Sequence, residues 1–229
     1  MTTTETPTEA SATRVAGRFR ERYEAAALKN DSLLCVGLDP DPKQIPVGVS
    51  VKDFLLGVIE ATSDLVSCYK PNAAFFERDG AEGWETLRDV IAAVPNEIPV
   101  LLDAKRGDVG HTAQAYAEAV FDQLGADAVT VNPYLGVDSI EPFTEREDRH
   151  VFVLCRTSNP SAGELQDIMA GDVRLYERVA ELSRTWNSRG NVGLVVGATY
   201  PEEARRVREI CPDQLLLLLL GTGQICGFF

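Results

Sequence analysis

Two kinds of pattern alternate along the chain. Short runs that are apolar on both faces read as buried strands: "SLLCVGL" (32–38), "LVSCYK" (65–70), "IPVLLDA" (98–104), "DAVTVN" (127–132), "HVFVLC" (150–155), "NVGLVVG" (191–197) and "QLLLLLL" (214–220). Between them lie stretches with the spacing of amphipathic helices. These are "VKDFLLGVIEATSDL", "GAEGWETLRDVIAAV", "HTAQAYAEAVFDQLG", "DVRLYERVAELSRTWNSR" and "PEEARRVREIC", with "RVAGRFRERYEAAALKN" ahead of the first strand. Strands buried on both faces and alternating with helices predict a parallel sheet covered by helices. No G-x-G-x-x-G follows the first strand, so a dinucleotide-binding fold has little support. With 229 residues and seven recognisable strands, the expectation is an α/β fold of the (β/α)8 TIM-type barrel kind. Residues 1–13 are small and polar and are expected to be a disordered tail; residues 14–229 are expected to form one barrel domain.

A barrel places its chemistry on the loops after the strands, so polar residues should collect there. They do so at Asp39 in "GLDP", at Lys70 and Asn72 in "YKPN", and at Asp103 and Lys105 in "LLDAK". The series continues with Asn132 in "VNPY", with Arg156, Thr157 and Ser158 in "CRTSNP", and with Thr199 in "GATYP". Composition narrows the partners. A net charge of −13 argues against nucleic acid or an anionic membrane, which need clustered Lys and Arg, but leaves room for one phosphorylated small molecule. The apolar run Leu215–Leu220 is too short to span a bilayer, and no signal peptide is visible. Five scattered cysteines without a CxxC, and only two histidines, give no zinc spacing and suggest reduced thiols of a cytoplasmic protein.

Asp103, Lys105 and Asp108 follow the spacing D-x-K-x-x-D. Alternation puts Asp103 and Lys105 on one side of their strand, and Lys70 should be their neighbour on the preceding one. Asp108 lies past the turn and reaches Lys105 only by loop geometry or from another subunit. In such a cluster the lysines keep the carboxylates ionised. A substrate carboxylate beside Asp103 would be repelled until CO2 leaves, and Lys105 could then protonate the carbanion. A salt-bridged surface network is the bland reading of the same spacing.

"DAKRGDVGHT" resembles the D-x-K-x-x-D-[IV]-x-x-T signature of the orotidine 5′-phosphate decarboxylase family. "CVGLDP", "YKPNAAFFE", "TVNPYLG" and "CRTSNPSA" agree with it in order, from about residue 30 to 221, in the branch with the "KPN…FFE" second strand. The resemblance implies decarboxylation of orotidine 5′-monophosphate to uridine 5′-monophosphate, with no metal or organic cofactor. Lys105 would protonate carbon six, Asp103 would face the departing carboxylate, and Lys70 and Asp39 would hold ribose hydroxyls. Asp108 and Thr112 would come across a homodimer interface to complete a shared active site, and Ser158 would bind the pyrimidine.

The phosphate would sit on the loop echoed by Gly221, Gly223 and Gln224, although Gln224 is displaced by one position and the family's following arginine is absent. After "LLLLLLGTGQICGFF" the family's eighth strand and last helix are expected to be missing, leaving two open sheet edges. Two other readings follow: a Mg-dependent sugar-phosphate decarboxylase or aldolase of the same barrel group, and a truncated remnant without activity. Among lesser signals, His111 reads as a solvated or capping residue and Phe75 and Phe76 as barrel packing. Arg156 reads equally as a phosphate ligand or a structural ion pair.

Overall fold

The computed structural model describes residues 17–219 and 225–228; the expected tail over 1–13, and Gly221, Gly223 and Gln224, lie outside them. Eight strands form the barrel: β1 Leu34–Leu38, β2 Cys68–Pro71, β3 Leu101–Arg106, β4 Ala128–Val131, β5 His150–Arg156, β6 Val192–Gly197, β7 Leu216–Leu219 and β8 Ile225–Phe228. They pair in the order β2-β1-β8-β7-β6-β5-β4-β3, and parallel bridges Tyr69↔Val100 and Asn72↔Asp103 close the ring between β2 and β3. Each of the seven apolar runs is one of these strands. The long helices are α1 Phe19–Asn30, α2 Val51–Thr62, α3 Gly80–Ala93, α4 Gly110–Glu118, α5 Leu175–Trp186 and α6 Pro201–Ile210. Local chemistry sets their ends. Ser50 Oγ accepts the Asp53 N–H at 3.0 Å to start α2, and α6 opens with Pro201 and two glutamates.

The eighth place corrects an expectation. β8 runs antiparallel between β1 and β7, with Cys35 opposite Cys226 and Leu218 opposite Gly227. The edges of β1 and β7 are therefore paired rather than open. An unpaired edge on each side and an apolar interior are what a short alternating segment such as "ICGF" can satisfy, since Cys226 and Phe228 turn inward into the core. A small ribbon, Met169–Ala170 with Val173–Arg174, turning at Gly171 (φ 78°), was not anticipated; it lies between β5 and α5.

The core has two shells. Outward residues such as Val129, Val151 and Leu194 pack with Leu55, Leu87 and Ala180 of the helices, while Cys35, Cys68, Leu101, Phe152 and Leu217 fill the barrel. α1 plugs the mouth at which the parallel strands begin. Phe19 lies over His150 at 5.2 Å, and Tyr23 lies 4.6 Å from the Phe228 ring. Beside them Arg22 forms a buried ion pair with Asp127, whose other oxygen accepts the Val100 N–H at 2.8 Å. The plug leaves one barrel end, the C-terminal ends of the parallel strands, for chemistry.

Candidate active site

Four charged side chains converge at that open end. Asp103, on β3, is 4% exposed. Its Oδ1 accepts from Lys105 Nζ at 2.7 Å and from the Thr130 hydroxyl at 2.8 Å. Lys70, at the end of β2, is 1% exposed and stands 3.6 Å from Asp103 Oδ2 and 4.0 Å from Asp39 Oδ2. Its ammonium makes no hydrogen bond among the described residues. Asp39, just past β1, accepts the Asn72 N–H at 3.0 Å. Lys70, Asp103 and Lys105 stand together as expected, and within this chain Asp39 rather than Asp108 completes the alternation of charge.

Electrostatics decide the ionisation of this group. Burial pushes the Asp103 carboxyl upward, but the ammoniums of Lys70 and Lys105 and the hydrogen bonds from Lys105 and Thr130 outweigh it, leaving its pKa below the usual carboxylate value. Burial works against the Lys70 ammonium, yet Asp39 and Asp103 more than offset it and raise its pKa. Asp39 is pushed up by burial, opposed by Lys70 and reinforced by the negative charge of Asp103. Asp103 is therefore held as an anion where apolar surroundings alone would neutralise it.

The chain around Lys105 is unusual. Lys105 is in the left-handed region with φ 49°, which costs a non-glycine residue about 1–2 kcal/mol. The conformation belongs to an irregularity in the β3–β4 register between Leu102 and Arg106. Simple alternation on a strand anticipated the side of Lys105 but not this bend.

A cavity of about 1080 Å³ opens over Asp39, Asp103 and Lys105. Asp39, Asn72, Asp103, Lys105, Asn132 and Ser158 belong to its polar lining, and Leu154, Val195 and Leu219 to its apolar wall. Ser158 is thus placed at the cavity, close against Gly197, where a Cβ would come within 3.0 Å of the Ser158 Cβ. Phe76 is core at 1% exposure and Phe75 packs half-buried against the same core, as expected of the pair, while Phe75 also lines the cavity.

Asp108 and Thr112 are not on the cavity wall. The Asp108 carboxylate accepts the Val109 N–H at 2.8 Å, and the Thr112 N–H bonds to the Val109 carbonyl, so both shape the start of α4. His111 beside them is exposed, as expected.

Arg156 is tied into the structure. It pairs with Asp167 at 3.3 Å, donates to Gln166 Oε1 at 3.1 Å and lies 4.2 Å over the Tyr200 ring. Gln166 also accepts the Thr157 N–H and donates to its hydroxyl. Of the two readings of Arg156, the structure shows the ion pair. Sequence reasoning missed Thr130 and Gln166. Thr130 had one usable signal: alternation puts Ala128, Thr130 and Asn132 on the inward side, so a hydroxyl points into the barrel one residue before β4 ends.

Known proteins share this arrangement of strands and loops. The profile of the "Orotidine 5'-phosphate decarboxylase / HUMPS family" matches residues 32–224. An orotidine 5'-phosphate decarboxylase of Herpetosiphon aurantiacus is 50% identical over 216 residues, covering 91% of this chain and 80% of that protein. One from Roseiflexus sp. is 53% identical over 212 residues, covering 90% and 77%. The solved OMP decarboxylase of Leishmania donovani superposes with a TM-score of 0.82 at 46% identity, covering 89% of this chain and 79% of that one. These relatives lend no support to a sugar-phosphate enzyme or to a non-catalytic remnant. Their similarity runs through every strand end that carries a charge in the cavity, and the chain belongs to the orotidine 5′-phosphate decarboxylase / HUMPS family.

Proposed function

We propose that the protein decarboxylates orotidine 5′-monophosphate to uridine 5′-monophosphate. The observation that carries the reading is a carboxylate, Asp103, almost fully buried and kept ionised by two ammoniums, yet bordering an open cavity. A substrate carboxylate set against Asp103 is destabilised by like charge, and the strain disappears as the C–C bond breaks and CO2 departs. The electron pair left on carbon six then takes a proton from the Lys105 ammonium, 2.7 Å from Asp103 before reaction. Lys70 and Asp39 bind ribose hydroxyls, and Ser158 orients the pyrimidine. No metal or organic cofactor takes part.

Asp108 and Thr112 serve the active site of a second copy, in a homodimer. Exposed apolar residues on the loops after β3 and β4 support this: Val109 is 50% exposed, Tyr134 82% and Val137 47%. The phosphate site falls on Gly221, Gly223 and Gln224. Five buried free thiols accord with a cytoplasmic location, and no helix among the described residues is long and apolar enough to cross a membrane.

The test follows the loss of ultraviolet absorbance of orotidine monophosphate in the presence of EDTA. Turnover by the wild-type chain that vanishes in Lys105→Ala is expected. Folded wild-type protein without turnover would sink the reading, and turnover that EDTA abolishes would point to metal chemistry.

A further inference from the structure

In the β3–β4 ladder the register passes from Leu102↔Val129 directly to Arg106↔Val131. Three residues of β3 (Asp103, Ala104 and Lys105) therefore face the single residue Thr130 of β4. Such a bulge withdraws the carbonyl acceptors that the amides of Ala104 and Lys105 would find in a regular ladder. The Thr130 hydroxyl replaces them, accepting the Ala104 N–H at 3.0 Å and the Lys105 N–H at 2.9 Å. Its own hydrogen goes to Asp103 Oδ1 at 2.8 Å, the same oxygen that Lys105 Nζ approaches at 2.7 Å. Thr130 is 0% exposed, so water does not compete for these bonds.

A hydroxyl has one donor and two acceptor positions, and here all three are used. Serine is the other common side chain of that size with the same inventory. Valine has the shape of threonine but none of the three bonds. On a regular strand the side chains of residues two apart start about 6.6 Å from each other; the left-handed turn at Lys105 brings its ammonium back onto the Asp103 carboxylate.

We propose that Thr130 is a positioning residue for the decarboxylation: its hydroxyl holds the β3 bulge that folds Lys105 over Asp103 and fixes which way the Asp103 carboxylate faces. The proposal rests on the decarboxylase reading for its chemistry, but its geometry is testable without turnover.

The charged and titratable groups around Asp103 are Lys105 on its own strand, Lys70 from β2, Asp39 after β1 and Cys226 of β8, and none is altered by changing Thr130. In Thr130→Val, kcat should fall about ten- to a hundredfold with a smaller change in KM. The acid limb of the kcat profile should move to higher pH by up to about one unit, because the carboxylate loses a donor. Thr130→Ser should keep kcat within about threefold of wild type and leave the acid limb in place.

A second readout needs no substrate. The Asp103 carboxyl titration, followed by carbon NMR and assigned with Asp103→Asn, should move up in the valine protein and not in the serine protein. Absence of turnover in the wild type with this shift present would count against the decarboxylase reading and leave Thr130 supported. An unshifted titration with unchanged kcat in Thr130→Val overturns the proposal. So does a serine protein as impaired as the valine one, which would mean that packing of the methyl group matters instead. Should the valine protein fail to fold, the serine protein decides: wild-type kcat and titration support the proposal, and a kcat more than about tenfold lower overturns it.

Discussion

His150 offers a measurable link between the plugged end of the barrel and pH. Its ring lies between Phe19, 5.2 Å away, and Phe152, 4.8 Å away, and its Nε2 has no hydrogen-bond partner among the described residues. Burial, with a smaller contribution from the nearby Arg20 charge, lowers its pKa from 6.5 to about 3. The unfolded chain takes up a proton on this imidazole below about pH 6.5 while the folded chain does not, so stability falls as pH falls from 6.5 toward 3. At pH 5 the loss from this one group is about 2 kcal/mol, from 1.36 kcal/mol per unit over the 1.5 units below the unfolded value. At pH 4 it reaches about 3 kcal/mol.

The perturbation is His150→Phe, which keeps an aromatic ring and removes the titration. Urea unfolding of both proteins at pH 7.5 and pH 5.0, followed by circular dichroism, isolates the effect. Any fixed packing cost of the larger ring appears at both pH values, and the carboxylates titrate alike in both proteins. Relative to wild type, the variant should gain about 2 kcal/mol on acidification, a midpoint shift of roughly 0.7 M for a slope near 3 kcal/mol/M. A midpoint difference that stays the same at the two pH values would refute the reasoning and mean that His150 is protonated or hydrated in the folded protein.

Three further outcomes are expected. If the active site is shared, mixing inactive Lys105→Ala and Asp108→Ala proteins under conditions that allow subunit exchange should restore up to about a quarter of wild-type activity, since half the dimers carry one intact site of two; no recovery despite proven exchange would place Asp108 in the same chain's site. Arg22→Met should cost about 3 kcal/mol in chemical denaturation, because it strips a partner from the buried Asp127 carboxylate while Arg149 remains at 3.2 Å; a loss under about 1 kcal/mol would show that Arg149 suffices. Gly83→Ala would favour an isolated helix by about 1 kcal/mol, yet its Cβ would collide with the Phe76 carbonyl oxygen in α3's contact with the preceding turn. Its melting temperature should therefore drop, and a rise would mean that the turn yields freely.

What the sequence made legible was whatever repeats or alternates. The strands announced themselves because both faces are buried, so "VGLVVG" and "VFVLC" contain nothing charged or strongly polar. The charges at their ends stood out against that background, and alternation then grouped Asp103 with Lys105. Thr130 did not stand out, because a β-branched residue in a strand is ordinary; its role exists only where three residues of β3 meet one of β4. Asp127 opens the strand run "DAVTVN", and Arg22, 105 positions earlier, gave no local sign of being its partner. His150 reads as the polar start of a strand until α1 is laid across it. β8 was illegible because "ICGF" is short, and its place depends on the gap between β1 and β7 rather than on its own pattern.

That strand also changes how the wall of the barrel is built. A parallel return needs a crossover of a dozen or so residues, which lays a helix on the outside. Only residues 220–224 separate β7 from β8, so no crossover helix belongs to this sector. Leu34, Val36 and Leu218 on the flanking strands remain half-buried there. Among the described residues no crossover helix lies over the wall along β1, β8 and β7, so solvent has a shorter way to its amides there. Hydrogen exchange should run fastest through this seam, making it the stave along which the barrel first breathes, while β3 to β6 stay protected.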